Sequence, residues 1–167
     1  DMFRSIVLSS KRRQVRGRAV AFAAWESFLR DLESDDFLTC TLHPPEDEAE
    51  RERQAQITGV HNIAQRFGIY CDALCMISQR GETARHCREL AEKYPEWRAE
   101  LAAAAGAWEA CGHYAGFLWS QGLSFDDAGY EKFRAPETRK ILADEGRRAM
   151  ELDRAAVERL EAILRKV

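Results

Sequence analysis

Cysteine and histidine are the side chains of this chain best suited to bind soft metals, carry out thiol chemistry or titrate near neutral pH. All five cysteines and all four histidines fall between Cys40 and His113. Cys71 and Cys75 are four residues apart, so on a helix their sulfurs share one face and could bind Cu(I) or Zn(II) with ligands from another helix. The clustering supports one hypothesis, a metal or thiol-redox sensor built on cysteine and histidine.

The adjacent residues His86 and Cys87 form the best candidate for a reactive thiol site. Arg85 and Arg88 flank the pair, and positive charge beside a thiol lowers its pKa. We therefore expect Cys87 to be the most reactive of the five thiols. The metal or thiol candidates are Cys75, His86 and Cys87, and the alternative is a partly exposed cysteine among solvated neighbours.

Two other cysteines have a simpler interpretation as packing residues. Cys71 and Cys111 each lie in a run of apolar residues with helical spacing. Free cysteine is among the most buried residue types and packs as a small hydrophobic side chain. We expect both to be core residues, and nothing in the sequence requires a cofactor.

The charge distribution defines a candidate anion-binding segment near the N-terminus. Residues 1–30 carry seven basic and two acidic residues, whereas residues 31–52 carry nine acidic residues and one basic residue. A basic segment of this kind suits a nucleic acid or an anionic surface. The alternative is pairing with the acidic residues 31–52 or simple solvation, because no aromatic residues alternate with the charges as in single-strand binders. The candidate residues are Lys11, Arg12, Arg13, Arg16 and Arg18.

A third candidate surface is aromatic. The helix that we expect to begin at Pro95 and end near Gly122 carries Tyr114, Phe117 and Trp119 away from its main apolar face. A helix that is apolar on more than one face is either central in a bundle or covers a binding surface. We interpret Tyr114, Phe117 and Trp119 as a candidate binding face for a protein partner or a second copy of the chain, or alternatively as the lining of a small-molecule pocket.

Helices are the elements that must position all these residues. Apolar residues recur at three- and four-residue steps and nowhere alternate with polar residues over a useful length. The repeats have the period of helices packed at about 20° in a bundle. The predicted fold is all-α, a helical bundle of four long helices with two short inserted helices. The long helices are expected over about 10–34, 46–80, 95–121 and 136–166, and the short ones over about 82–94 and 124–133.

Proline, glycine and capping residues predict where these helices begin and end. Pro95 and Pro136 suit the first turn of a helix, since proline fixes the backbone there and its missing N–H costs nothing. Gly81 and Gly122 suit the position just past a helix end. Ser124, followed three residues later by an acidic side chain, has the form of a capping box.

Length and composition bound the remaining possibilities. A chain of 167 residues is expected to form a single helical-bundle domain over 1–167. Asp1 precedes Met2, so residues 1–9 are expected to be a flexible or added segment. The sequence has no apolar run of 18 residues, so we expect no membrane span. The odd number of cysteines at helical spacings favours a reducing, cytoplasmic setting.

The motif content favours binding over catalysis. The sequence contains no glycine-rich phosphate loop, no G-x-S-x-G and no H-E-x-x-H, so we lean towards a protein that is not an enzyme. The leading hypothesis is a helical binding or regulatory module that self-associates as a homodimer through its aromatic face. The alternatives are the metal or thiol-redox sensor and a nucleic-acid or anionic-surface binder acting through residues 11–18.

Overall fold

The computed structural model describes residues 21–35, 38, 40, 42–43, 45–58 and 62–166. For residues 54–58, 74–78, 115, 118 and 119 it describes the backbone alone. The described residues form helices joined by short connections and contain no extended strand. The all-α class is therefore confirmed, but the long helices are divided differently from the prediction. Residues 11–18 and the segment 1–9 lie outside the described residues.

The helices are numbered in chain order. They are residues 21–33 (α1), Glu48–Thr58 (α2), Ile63–Ser78 (α3), Arg80–Lys93 (α4), Arg98–Gly112 (α5), Tyr114–Ser120 (α6), Asp127–Arg134 (α7) and Pro136–Leu164 (α8). A 3-10 turn over Pro95–Trp97 joins α4 to α5. Pro136 opens α8 as predicted.

The helix predicted over 46–80 is instead two helices, α2 and α3. Asp47 caps α2, because its Oδ1 accepts a hydrogen bond from the Ala49 N–H at 2.9 Å. Asn62 caps α3 in the same way, accepting from the Gln65 N–H at 2.7 Å. The C-cap predicted at Gly81 is wrong, since α4 begins at Arg80 and Gly81 lies in its first turn.

The helix predicted over 95–121 is also divided, by a turn at His113 between α5 and α6. Gly122 follows α6 with φ +67°, the left-handed conformation that glycine adopts without strain. The predicted cap of α7 is off by two residues. Asp126, not Ser124, accepts from the Gly129 N–H at 2.8 Å, and the Ser124 hydroxyl donates to Asp126 at 2.6 Å.

Two clusters of buried residues form the interior, and α8 contributes to both. The first core lies among α1, α3, α7 and the beginning of α8, and the second among α4, α5 and the end of α8. The first core contains Leu32, Cys40, Ile63, Phe67, Tyr70, Cys71, Leu123, Phe133, Leu142 and Ala143. The second core contains Ala84, Cys87, Ala91, Trp97, Leu101, Ala104, Ala105, Trp108, Cys111, Ala156 and Ile163.

Helix α1 packs closely against α8. A Cβ added to Gly146 would lie 2.6 Å from Leu29 Cδ2, a distance that real Cβ atoms do not tolerate. The Trp25 indole N–H donates to the Gly146 carbonyl at 3.3 Å, and Glu33 pairs with Arg147 at 2.5 Å. Helix α1 therefore approaches α8 closely at a position where α8 has no side chain.

Candidate functional site

The structure buries the predicted reactive thiol. Cys87 is 3 % exposed in the second core, and burial raises its pKa. The flanking cations contact carboxylates instead: Arg85 pairs with Glu82 at 2.6 Å and Arg88 with Glu109 at 2.5 Å. The expectation of a lowered pKa at Cys87 is wrong, because desolvation dominates and each neighbouring guanidinium has an acidic partner.

The predicted metal ligands do not come together in the described part of the chain. His86 is exposed on α4, with Nδ1 3.6 Å from Glu89, whereas its neighbour Cys87 faces the second core. The side chain of Cys75 lies outside the described residues. Among the residues that the structure describes, no group of three or more histidine, cysteine or acidic side chains could hold a metal ion.

The interpretation of Cys71 and Cys111 as packing residues is confirmed. Both are buried, one in each core. The Cys111 thiol donates to the Ala149 carbonyl at 3.2 Å, and burial together with nearby Asp153 raises its pKa to about 11. The Cys111 thiol is therefore protonated at neutral pH and suits packing better than nucleophilic chemistry.

Asp153 is a partly buried carboxylate beside the second core. Its Oδ1 accepts from the Trp108 indole N–H at 2.7 Å and from Arg80 Nε at 2.8 Å. One carboxylate oxygen thus joins α4, α5 and α8. The contact satisfies an indole N–H that is otherwise costly to bury, so the cluster stabilises the fold.

The candidate aromatic face lies on α6 and packs partly against the chain itself. Phe117 is half-buried against the first core, and burial raises the pKa of Tyr114. The side chain of Trp119 lies outside the described residues. Helix α5, which precedes α6, packs between α4 and α8, so the alternative interpretation of a central helix applies to it.

Two acidic residues of the segment 31–52 pair with basic residues on other helices. Asp31 contacts Arg66 on α3 at 3.3 Å, and Glu33 contacts Arg147 on α8, which lowers the pKa of Glu33. The predicted anion-binding residues Lys11, Arg12, Arg13, Arg16 and Arg18 lie outside the described residues, and their role stays a prediction.

A groove between α1 and the second half of α8 forms a concave feature of the described surface. It encloses about 450 Å³, within the range of small-ligand and peptide sites. Its lining residues are Phe22, Ala23, Glu26, Met150, Arg154, Val157, Glu158 and Glu161. Apolar side chains from both helices therefore meet carboxylates in one surface depression.

The lining of the groove carries charges of both signs. It includes the carboxylates of Glu26, Glu158 and Glu161 and one guanidinium, and Glu26 also lies 3.7 Å from Arg147. That guanidinium, on Arg154, stacks over the Phe22 ring at 5.0 Å from its centroid, a favourable cation–π geometry. An apolar depression lined partly by carboxylates can accept a ligand that combines apolar groups with positive charge.

Sequence reasoning missed this groove, although it contained part of the signal. The spacing of Glu158 and Glu161 puts two carboxylates on one helix face beside apolar Val157. The sequence alone does not reveal that α1 pairs with α8. This pairing places Phe22 opposite Val157 and Glu158.

The chain matches no protein-family model, and no curated protein or solved structure is significantly similar to it. In the described helices, no segment combines the length and the apolar character needed to cross a membrane.

Proposed function

We propose that this protein is a non-enzymatic binding module whose groove between α1 and α8 accepts a basic, amphipathic helical segment of a partner protein. The observation that carries the proposal is the combination of an apolar floor with carboxylates in one groove. Helix-in-groove recognition uses the same combination, with apolar anchors at three- and four-residue spacing and complementary charge beside them.

The floor and the carboxylates contribute differently to such binding. Burial of apolar side chains against Phe22, Met150 and Val157 supplies the main favourable free energy. The carboxylates Glu158 and Glu161 select for positive charge and accelerate association, mostly without adding affinity at high salt. Binding is therefore expected to weaken as salt concentration rises.

A designed helical peptide tests this proposal. The probe is a fluorescent peptide with leucines on one face and lysines elsewhere, and its partner probe replaces every lysine with glutamate. Fluorescence anisotropy is expected to show binding of the basic peptide and about tenfold weaker binding of the acidic one, since rim charges discriminate by about a kilocalorie or more.

Matched variants locate the binding site. Glu158→Lys combined with Glu161→Lys is expected to weaken binding of the basic peptide by about tenfold, whereas Glu151→Lys, on an exposed position of α8 outside the groove, leaves it unchanged. Equal binding of both peptides, or equal effects of the two variants, would contradict the proposal.

Self-association is a second candidate function, favoured by one observation. The Phe125 side chain is 58 % exposed while its ring lies 4.8 Å from that of Phe67 in the first core. A second copy could cover this ring. Light scattering after size exclusion is expected to show a dimer that Phe125→Ser converts to a monomer; a monomer at all concentrations excludes it.

We further propose a reducing, cytoplasmic setting for this module. Four cysteines in the described part of the chain are free thiols, and all four are buried. Buried free thiols persist where glutathione and thioredoxin maintain reducing conditions. Fractionation of the native host cell, with the protein detected by antibody, tests this; recovery from an oxidising compartment contradicts it.

A further inference from the structure

We propose that Phe22 and Glu26 form a site for one arginine of the partner segment, and that Arg154 occupies this arginine site until the partner displaces it. The inference rests on the proposed function, because the arginine site is part of the same groove between α1 and α8. It names the group that the groove recognises, a guanidinium rather than positive charge in general, and it gives Arg154 an autoinhibitory role.

The structure already places a guanidinium on the Phe22 ring. Arg154 reaches across from α8, and its Cζ lies 5.0 Å from the centroid of the ring on α1. The face of an aromatic ring attracts cations, and arginine occurs there more often than lysine. The planar guanidinium is weakly hydrated and stacks on a ring, whereas the ammonium group of lysine is strongly hydrated. The ring is therefore suited to an arginine from a partner as well.

A carboxylate lies on the same side of α1 as the ring. Glu26 follows Phe22 by four residues, which puts both side chains on one face of the helix, and both line the groove. Glu26 is 3.7 Å from Arg147, but Arg147 has a closer carboxylate in Glu33 at 2.5 Å. Glu26 can therefore pair with a partner's arginine on the ring while Arg147 keeps Glu33.

Arg154 has an alternative partner on its own helix. Glu158 follows it by four residues on α8, both side chains are exposed, and residues at this spacing on a helix can form an ion pair. Among the interactions of the described residues, Arg154 contacts the Phe22 ring and forms no ion pair with Glu158. An exposed cation–π contact and an ion pair at this spacing each change an equilibrium constant by about fivefold or less. Moving Arg154 from the ring to Glu158 therefore costs little.

This exchange makes Arg154 a competitor of the partner. While its guanidinium lies on Phe22, it covers the ring face that a partner's arginine needs. When the partner binds, its arginine takes the ring and Arg154 turns to Glu158. Removing Arg154 should therefore increase, not decrease, the affinity of the groove for a segment that contains arginine.

The first experiment asks whether the groove distinguishes arginine from lysine. Two fluorescent helical peptides carry leucines on one face; one has lysines elsewhere, and the other has arginines at the same positions. Both are titrated by anisotropy against the full chain and against Phe22→Leu, which removes the ring but keeps an apolar side chain. Circular dichroism of each variant checks that the helix content is unchanged.

The original chain is expected to bind the arginine peptide about threefold more tightly than the lysine peptide, as an exposed cation–π contact allows. Phe22→Leu should remove this difference, because neither peptide then meets a ring face. If the original chain binds the two peptides equally, the arginine site is excluded, and the proposed function stands because both peptides still bind.

A second pair of variants tests the competitor. Arg154→Gln should increase the affinity for the arginine peptide by about threefold, because the ring face is then uncovered. Arg159→Gln removes the same charge at an exposed position of α8 outside the groove lining and should leave the affinity unchanged. When combined with Phe22→Leu, Arg154→Gln should give no gain, a coupling that loss of charge alone does not produce.

Four outcomes would overturn the inference. Weaker binding by Arg154→Gln would make Arg154 a contact of the partner instead of its competitor, and an equal gain in Arg159→Gln would assign the effect to net charge. Lower stability of Arg154→Gln in urea, with both peptide affinities unchanged, would leave its contact with Phe22 as a support of α1 alone. Binding of neither peptide to any form would remove the proposed function together with the inference.

Discussion

The first core and the second core are packed with different kinds of side chain. In the first core the Phe67 ring contacts the rings of Tyr130 and Phe133 at centroid distances of 5.8 and 5.1 Å, both edge-on. The second core relies on small residues, among them Ala104 and Ala105, which are fully buried on α5. Large rings fill the space between spread elements, whereas alanines allow helices to pack closely.

The two cores also differ in the charged side chain that lies beside them. In the first core the buried Arg139 donates to the carbonyls of Leu32 at 2.8 Å, Ser34 at 3.3 Å and Arg134. In the second core the carboxylate of Asp153 accepts from side chains. The Arg139 guanidinium thus satisfies carbonyls at the ends of α1 and α7 beside the first core, whereas the Asp153 carboxylate joins three helices beside the second. The first core is therefore stabilised by a cation that binds backbone, and the second by a carboxylate that binds side chains.

The largest expected effect comes from removing Arg139, the buried cation beside the first core. Arg139→Met leaves buried carbonyls without donors, each costing about 1–3 kcal/mol, so we expect a loss of about 4 kcal/mol in the free energy of unfolding. Urea denaturation followed by circular dichroism measures it. Arg148→Met, at an exposed position of the same helix, is the control, and equal losses in both variants would show that the buried hydrogen bonds of Arg139 add nothing to stability.

The four buried cysteines report on the two cores separately. Cys40 and Cys71 belong to the first core and Cys87 and Cys111 to the second. Because modification requires local opening, we expect iodoacetamide at pH 8 to label all four about 100-fold more slowly than in urea. Cys111, with no exposed surface and a pKa of about 11, should react last. Rapid native labelling of Cys87 would instead restore it as a reactive thiol.

A smaller effect tests close packing in the second core. Ala104→Leu inserts three carbon atoms between helices and is expected to cost about 2 kcal/mol, as overpacked interiors usually do. Ala103→Leu, one residue earlier and exposed on the same helix, should have little effect. Thermal unfolding of both variants measures the difference, and a tolerated Ala104→Leu would show that α5 is not tightly enclosed.

The smallest effect is expected from removing Asp153, the partly buried carboxylate beside the second core. Asp153→Ala removes the acceptor of the Trp108 N–H and the partner of Arg80, at a cost of about 1–2 kcal/mol. Tryptophan fluorescence during urea unfolding reports the change. Glu151→Ala, an exposed residue of the same helix, serves as the control, and an equal loss in both variants would mean that the hydrogen bonds add nothing.

Local signals predicted the helices better than their interruptions. Proline at 136 and glycine at 122 act through their own backbone, so their effects could be read from the sequence. The break before α3 had a signal as well, since Asn62 precedes Gln65 by three residues in the manner of a capping box. A continuous apolar repeat through that region outweighed it. The turn at His113 has no comparable local signal.

The site was harder to predict than the fold because it depends on which helices meet. The cations beside Cys87 were identified correctly, but the partner of Arg88 is Glu109 on another helix, which no local pattern reveals. The groove likewise joins Phe22 to Val157, residues far apart in the chain. They lie close together because α1 packs against α8, where Leu29 occupies the space that a side chain at Gly146 would need.

The position of α8 along the chain affects how this protein folds during its synthesis on the ribosome. It follows every other described element along the chain and contributes Leu142 and Ala143 to one core and Ala156 and Ile163 to the other. Neither core can close until α8 has been synthesised, so the nascent chain must keep both sets of apolar side chains from aggregating until translation reaches that helix.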